Sequence, residues 1–338
     1  MSERLTSQAN AIRCDALTML HHAGSGHPGG SLSCADILAV LYFRVMRVRP
    51  GEPLWRERDR LVLSKGHACP ALYAALALRD YFDRDEYRAF RSLGGLLQGH
   101  PDVGTPGIDA PSGSLGMGLS QGLGMALGSR HLGLGFRTFV ILGDGDMQEG
   151  NTWEALMAAG VKRVGSLTAI LDANGLQGDD RVERQMSYEP IAAKVAAFGW
   201  EVRELDGHDL DALLAALAEA PAEDAPPRFI LARTIKGRGV SFMEDQQYWH
   251  GSVAISAEEL AQAHAELKAE SVEESAAEAT AEPAAQTVVK LAAQTTAEPA
   301  AQTTAEPAQT TAEPAAQTTA EPAAQTTAAT ALAAGSAP

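Results

Sequence analysis

FVILGDGDMQEGNTWEAL, residues 139–156, decides the fold. The apolar run of residues 136–142 reads as a strand buried on both faces, as in a parallel sheet. A Gly-Asp-Gly turn closes it, and residues 151–161 then carry apolar positions at helical spacing. A second buried run covers residues 167–171, and residues 61–63 and 229–232 supply two more strand candidates. Helical spacing recurs over residues 5–20, 31–43, 71–78 and 118–127, with a short candidate at 256–267. The glycine- and proline-rich stretch of residues 24–31, GSGHPGGS, is expected to be a loop between helices. Strands alternating with helices at this spacing predict an α/β fold, a parallel sheet flanked by helices.

In an open parallel sheet, ligands bind beyond the carboxyl ends of the strands. Asp144 stands at such an end, between two glycines that let backbone approach a ligand closely. A helix beginning near Asn151 would offer free N–H groups and a positive dipole end to a phosphate. A carboxylate there would repel a diphosphate unless a cation lay between them. Thirty residues on, just after the next strand, comes Asp172-Ala173-Asn174-Gly175. A carboxylate, an amide oxygen and a backbone carbonyl, completed by phosphate oxygens, make a hard-oxygen site for Mg²⁺ or Ca²⁺.

The order strand, Gly-Asp-Gly, helix, strand, Asn resembles the thiamine diphosphate enzymes. The surrounding text resembles transketolases: SGHPGGSLS at 25–33, SKGHA at 64–68, QGHP at 98–101, GSLGMGLSQGLGMALG at 113–128, GDGDMQEG at 143–150, and His250-Gly251. The resemblance implies the pyrophosphate-binding (PP-type) version of the thiamine diphosphate-binding fold, and two-carbon ketol transfer from a ketose phosphate to an aldose acceptor. It makes Asp144, Asn174 and the Leu176 carbonyl the metal ligands, for Mg²⁺ with Ca²⁺ or Mn²⁺ as alternatives. Gly145 would meet the diphosphate, Gly113 the aminopyrimidine, and Leu115 the bent cofactor. His27, His67, His100 and His250 would line the substrate funnel, with His67 and His250 nearest the diphosphate. Glu149 would join a carboxylate network between paired sites. Imidazoles suit proton movement at a carbonyl and its hydroxyls near neutral pH. His21, His22, His131, His208 and His264 lack such settings and are read as structural or surface residues.

The glutamate that activates the aminopyrimidine, and most residues gripping the sugar phosphate, belong in transketolases to a following domain. That domain is not recognisable here after His250. The resemblance therefore implies a partner, a C-terminal transketolase subunit carrying the pyrimidine-binding half, in an α₂β₂ assembly. Two alternatives stay open at this level: a specialised two-carbon transferase for a non-pentose or carrier-linked acceptor, and a catalytically silent binding subunit.

Composition narrows the remaining classes. The chain has 338 residues and a formal net charge of −16, with ten Glu against two Lys in residues 266–338. Nucleic acid and anionic membrane both need clustered positive charge, so neither is expected as a partner. Cys14, Cys34 and Cys69 are odd in number and widely spaced, which favours neither a disulfide framework nor structural zinc. With no hydrophobic signal core at the N-terminus, a cytoplasmic protein is expected. The last aromatic residue is Trp249, and Glu-Pro recurs at 282, 298, 306, 313 and 321 within AEPAAQTT-like units. The expected organisation is a cofactor-binding domain over residues 1–267 and a disordered low-complexity tail over 268–338.

Overall fold

The structure, a computed structural model, describes residues 2–178 and 180–278. Among them, five strands form one sheet: β1 (Arg60–Leu63), β2 (Thr138–Gly143), β3 (Leu167–Ala173), β4 (Glu201–Asp206) and β5 (Arg228–Arg233). The order across the sheet is β1-β2-β3-β5-β4, and every pairing is parallel. The helices are α1 (Ser2–Ala23), α2 (Pro28–Ser33), α3 (Ala35–Val40), α4 (Cys69–Leu78), α5 (Gly118–Leu132), α6 (Gly150–Val161), α7 (Val182–Gln185), α8 (Ile191–Ala197), α9 (Leu210–Ala218) and α10 (Ala257–Glu278). The α/β fold expected from the sequence is the fold found.

Alternation along the strands divides the core into two layers. Phe139 and Ile141 of β2, with Leu63, Ile170 and Ile230, pack among residues of α1, α3, α4 and α9. Val140 and Leu142, with Leu171 and Leu231, pack on the other face among residues of α5, α6 and α8. All six residues of β2 are buried, and each large apolar side chain so covered contributes about 1.5–3 kcal/mol. The edge strand β4 escaped the sequence reading. Its text, EVRELD, is charged and half exposed, as an unpaired sheet edge demands; Arg203 meets Glu219, and Glu204 meets Arg233.

Two expectations need correction. The loop at residues 24–31 ends at His27, because Pro28 opens α2 at a position where its missing N–H costs nothing and its fixed φ favours the helix. The expected domain edge at Leu267 falls inside α10, which continues to Glu278. Ala and Glu are strong helix formers, so losing aromatic residues there did not end the helix. Glu270 is still tied to the domain by Arg238 at 2.9 Å. The expected disordered tail otherwise lies outside the described residues.

Register places the site. Leu63 stands opposite Ile141, Gly143 opposite Asp172, and Asp172 opposite Ala232. The chain therefore leaves four neighbouring strands at one sheet edge, delivering residues 64–67, Asp144, Asn174 and residues 234–236 side by side.

Candidate active site

Asp144 is nearly buried at the end of β2. Its Oδ1 accepts a 2.6 Å hydrogen bond from the Tyr188 hydroxyl, and its Oδ2 accepts one of 3.1 Å from the Gly175 N–H. These bonds fix the carboxylate against the loop of Asn174, Gly175 and Leu176. Burial, only partly offset by the Tyr188 bond, raises the Asp144 pKa to about 6. The Leu176 carbonyl already faces a cation, the Lys236 ammonium at 2.8 Å. Asp144 is thereby held beside the loop of residues 174–176, and a carboxylate, an amide oxygen and a backbone carbonyl are donor types that suit a hard divalent cation. Between β2 and α6 runs a 3₁₀ segment, Asp144–Gln148, and α6 begins at Gly150, one residue before the expected start near Asn151.

His27, His67 and His250 form one cluster. Their ring centroids are 5.1 Å (His27–His67), 5.8 Å (His27–His250) and 5.7 Å (His67–His250) apart. A Cβ on Gly251 would lie 2.3 Å from the His27 ring, so only glycine permits that packing. His100 sits against Gly113, where an added Cβ would approach its ring to 3.0 Å. Lys236 joins the two halves of the site: besides Leu176 it approaches His250 Nδ1 to 2.7 Å. A protonated lysine can only donate, so His250 Nδ1 accepts and Nε2 carries the ring proton.

Electrostatics keeps these rings neutral. Burial, then the charges of His100, Arg91 and Lys236, lower His27 to about 4. Burial and Lys236 lower His250 to about 4, and burial with Lys65 holds His67 well below the usual range. Burial and Lys65 also bring Lys236 down to about 8. An anion bound among them would raise all of these again. An open cleft of about 330 Å³, lined by Gly178, Gln247, Tyr248, His250 and Gly251, gives access from solvent.

The cofactor-side residues also meet. A Cβ on Gly145 would lie 2.9 Å from Leu115 Cδ1, so the Leu115 loop closes over the Gly-Asp-Gly turn. Two buried polar atoms on these loops, Ser112 Oγ and Gln177 Nε2, find no partner in the protein. Gln177 Nε2, beside the glycine turn at Gly145, fits a polar ligand such as a diphosphate, whereas Ser112 Oγ lies against Gly66. Glu149 stands apart from the histidines, exposed at the start of α6 beside Gly116.

Sequence reasoning missed Lys65, Asp172, Tyr188, Lys236 and Arg91. Lys65 lay inside the SKGHA text and Lys236 directly after a strand, which was the available signal. Tyr188 gave none. The histidines read as structural behave so: His208 bridges Asp36 at 2.7 Å and the Ile235 N–H at 2.8 Å, and His21 lies 2.7 Å from the Ile255 carbonyl. All three cysteines are free. No helix among the described residues is long and apolar enough to cross a membrane.

Residues 5–327 match the family model described as transketolase, thiamine diphosphate binding domain. The chain belongs to the transketolase family. It is 44% identical over 274 residues to the 6-deoxy-6-sulfo-D-fructose transketolase subunit SqwG of Clostridium sp. (strain MSTE9), covering 80% of this chain and 99% of that protein. It is 37% identical over 265 residues to one subunit of the apulose-4-phosphate transketolase of Phocaeicola vulgatus, covering 78% of this chain and 94% of the relative. Against the human transketolase it is 37% identical over 250 residues, 74% of this chain but 40% of the human one. The crystal structure of the Campylobacter jejuni transketolase superposes with a TM-score of 0.74 at 31% identity, over 79% of this chain and 43% of the other. The chain thus spans less than half the length of these two transketolases.

Tyr188 touches the transketolase site only through Asp144. Tyr188→Phe should weaken Mg²⁺ binding about tenfold, since groups that orient a metal ligand typically matter by 10- to 100-fold. Metal titration of the chain in the presence of thiamine diphosphate would show it. Unchanged metal affinity would mean that Asp144 needs no such orientation.

Proposed function

We propose that the chain is the thiamine diphosphate-binding half of a two-chain transketolase, which moves a two-carbon ketol unit from a ketose phosphate to an aldose acceptor. The observation that carries the proposal is Lys236, whose ammonium ties the Leu176 carbonyl of the metal loop to His250 of the histidine cluster. Diphosphate-binding and substrate-binding groups are thereby one connected site. Bound thiamine diphosphate would supply the carbanion chemistry. Asp144, Asn174 and the Leu176 carbonyl would hold Mg²⁺, with Ca²⁺ or Mn²⁺ as substitutes. Gly145 would meet the diphosphate, while Gly113 and Leu115 would shape the pocket for the rest of the cofactor. His27, His67, His100 and His250 would orient the sugar's carbonyl and hydroxyls. His250 presents Nε2–H as a donor, and the neutral rings pass protons without adding charge.

The first two relatives are named as subunits, which supports a partner chain; in this proposal it supplies the pyrimidine-binding half in an α₂β₂ assembly, with exposed Glu149 at the interface. A reducing cytoplasm suits the free cysteines. A catalytically silent subunit has no chemical reason to keep the metal loop and the histidine cluster intact together. The similarity to a sulfo-fructose transketolase subunit favours one second reading, a specialised donor that carries an anionic group other than phosphate.

The test is reconstitution with a C-terminal transketolase subunit carrying the pyrimidine-binding half. Activity on xylulose 5-phosphate that needs both chains, thiamine diphosphate and Mg²⁺ is the expected result. Activity on 6-deoxy-6-sulfofructose alone would establish the second reading. No turnover of either ketose would refute the proposal.

A further inference from the structure

We infer that Gln177 is a cofactor-anchoring residue whose side-chain amide donates a hydrogen bond to a diphosphate oxygen. The inference rests on the proposed thiamine diphosphate site and adds a residue to it that the sequence motifs did not include.

Gln177 Nε2 is buried without an acceptor. Buried donors are nearly always paired, so one left open beside a ligand cradle asks for an external acceptor. The amide looks at the place where Gly145 lacks a side chain. A Cβ there would lie 3.9 Å from Gln177 Nε2 and 2.9 Å from Leu115 Cδ1. The loop that carries it is pinned. Its backbone N–H donates to the Asp180 carbonyl at 3.0 Å, and Leu176 bridges to Arg181 across the turn. The oxygens of the metal loop are already engaged. Asp144 accepts from Tyr188 and Gly175, Asn174 Oδ1 from the Leu176 N–H at 3.2 Å, and the Leu176 carbonyl from Lys236. The acceptor must therefore come with a ligand. Lys236 biases this corner toward an anion, and a diphosphate is rich in acceptors.

The experiment is calorimetric titration of the reconstituted two-chain complex in Mg²⁺ with thiamine diphosphate, inorganic pyrophosphate and thiamine. Gln177→Met keeps the length and removes the amide; Gln177→Glu puts a carboxylate in its place. Thermal melts report whether each variant is folded. Binding of thiamine diphosphate and of pyrophosphate should weaken about tenfold in Gln177→Met, the loss of one charge-assisted hydrogen bond, and further in Gln177→Glu. Binding of thiamine should not change. A folded Gln177→Met that binds thiamine diphosphate like the wild type would overturn the inference while leaving the cofactor site in place. Equal weakening for thiamine would move the contact to the ring and overturn the diphosphate assignment. A wild-type complex that binds neither diphosphate would instead refute the cofactor reading, and the inference with it.

Discussion

Asp144→Asn should abolish the metal-dependent activity of the assembled enzyme and, at pH 8, make the metal-free chain more stable. The first half follows from the proposed coordination. An amide cannot neutralise a divalent cation, so Mg²⁺ affinity should fall at least about 100-fold, beyond what loss of an orienting neighbour alone costs. The second half follows from burial. With its pKa raised from the ordinary 3.8 to about 6, Asp144 binds a proton more tightly folded than unfolded. Stability from this group is complete below about pH 4 and is lost as the pH rises through about 6, in total about 3 kcal/mol. Asparagine escapes that cost. It sets its own N–H₂ against either Tyr188 or Gly175, which returns about 1 kcal/mol for a lost hydrogen bond. The net gain at pH 8 should therefore be about 1–2 kcal/mol, seen as a higher denaturation midpoint in chelator. At pH 4 the difference should vanish or reverse. A metal-free Asp144→Asn chain less stable than wild type at pH 8 would mean that the carboxylate is not strained by its burial. Full activity in Mg²⁺ would remove Asp144 from the metal site.

The contrast between these two halves explains why part of the site was legible in the sequence and part was not. Asp144, Asn174 and His67 announce themselves because strands precede them, and His27, His100 and His250 because a glycine stands beside each. The chemistry needs those residue types at fixed distances from strand ends, and a strand end leaves a mark in the text. Tyr188 and Lys236 act by reaching back across the structure from 44 residues after Asp144 and 14 before His250. Nothing local requires them, so periodicity could not find them. The fold shows the same division. Fully buried strands β2 and β3 read plainly because both faces are apolar. The edge strand β4 needs only one partner and keeps its charges in water, which leaves it looking like a loop. Pro28 misled for the opposite reason: proline stops a helix from inside but starts one from its first turn, and the two cases share one residue type.

Lys65 and Asp172 form an ion pair that the sequence motifs passed over, and breaking one side of it should be the most destabilising single change in the domain. Both side chains are all but fully buried. Asp172 also accepts from Ser33 at 2.7 Å and from Thr234, and Lys65 donates to the Gly30 carbonyl at 2.7 Å. Burial opposes both charges, but each partner outweighs it: Lys65 and its hydrogen-bonding neighbours hold Asp172 below the usual carboxylate range, and Asp172 holds Lys65 above the usual amine range. Lys65→Met would leave an unpaired carboxylate in the interior, at a cost of about 3–5 kcal/mol. Adding Asp172→Leu removes that stranded charge, so the double variant should regain a good part of the loss. The recovery stays incomplete because Thr234 and Ser33 lose the Asp172 acceptor, at about 1 kcal/mol each, while Ser33 still donates to the Gly30 carbonyl. Denaturant unfolding of the two single variants and the double variant forms a cycle that measures the coupling. Additive losses would show that the two side chains stabilise independently and that the pair is incidental. Strong coupling would give the pair a positional meaning: it clamps α2, which follows His27, and the segment carrying His67 onto the ends of β3 and β5, where the loop of residues 174–176 and the segment of Lys236 begin.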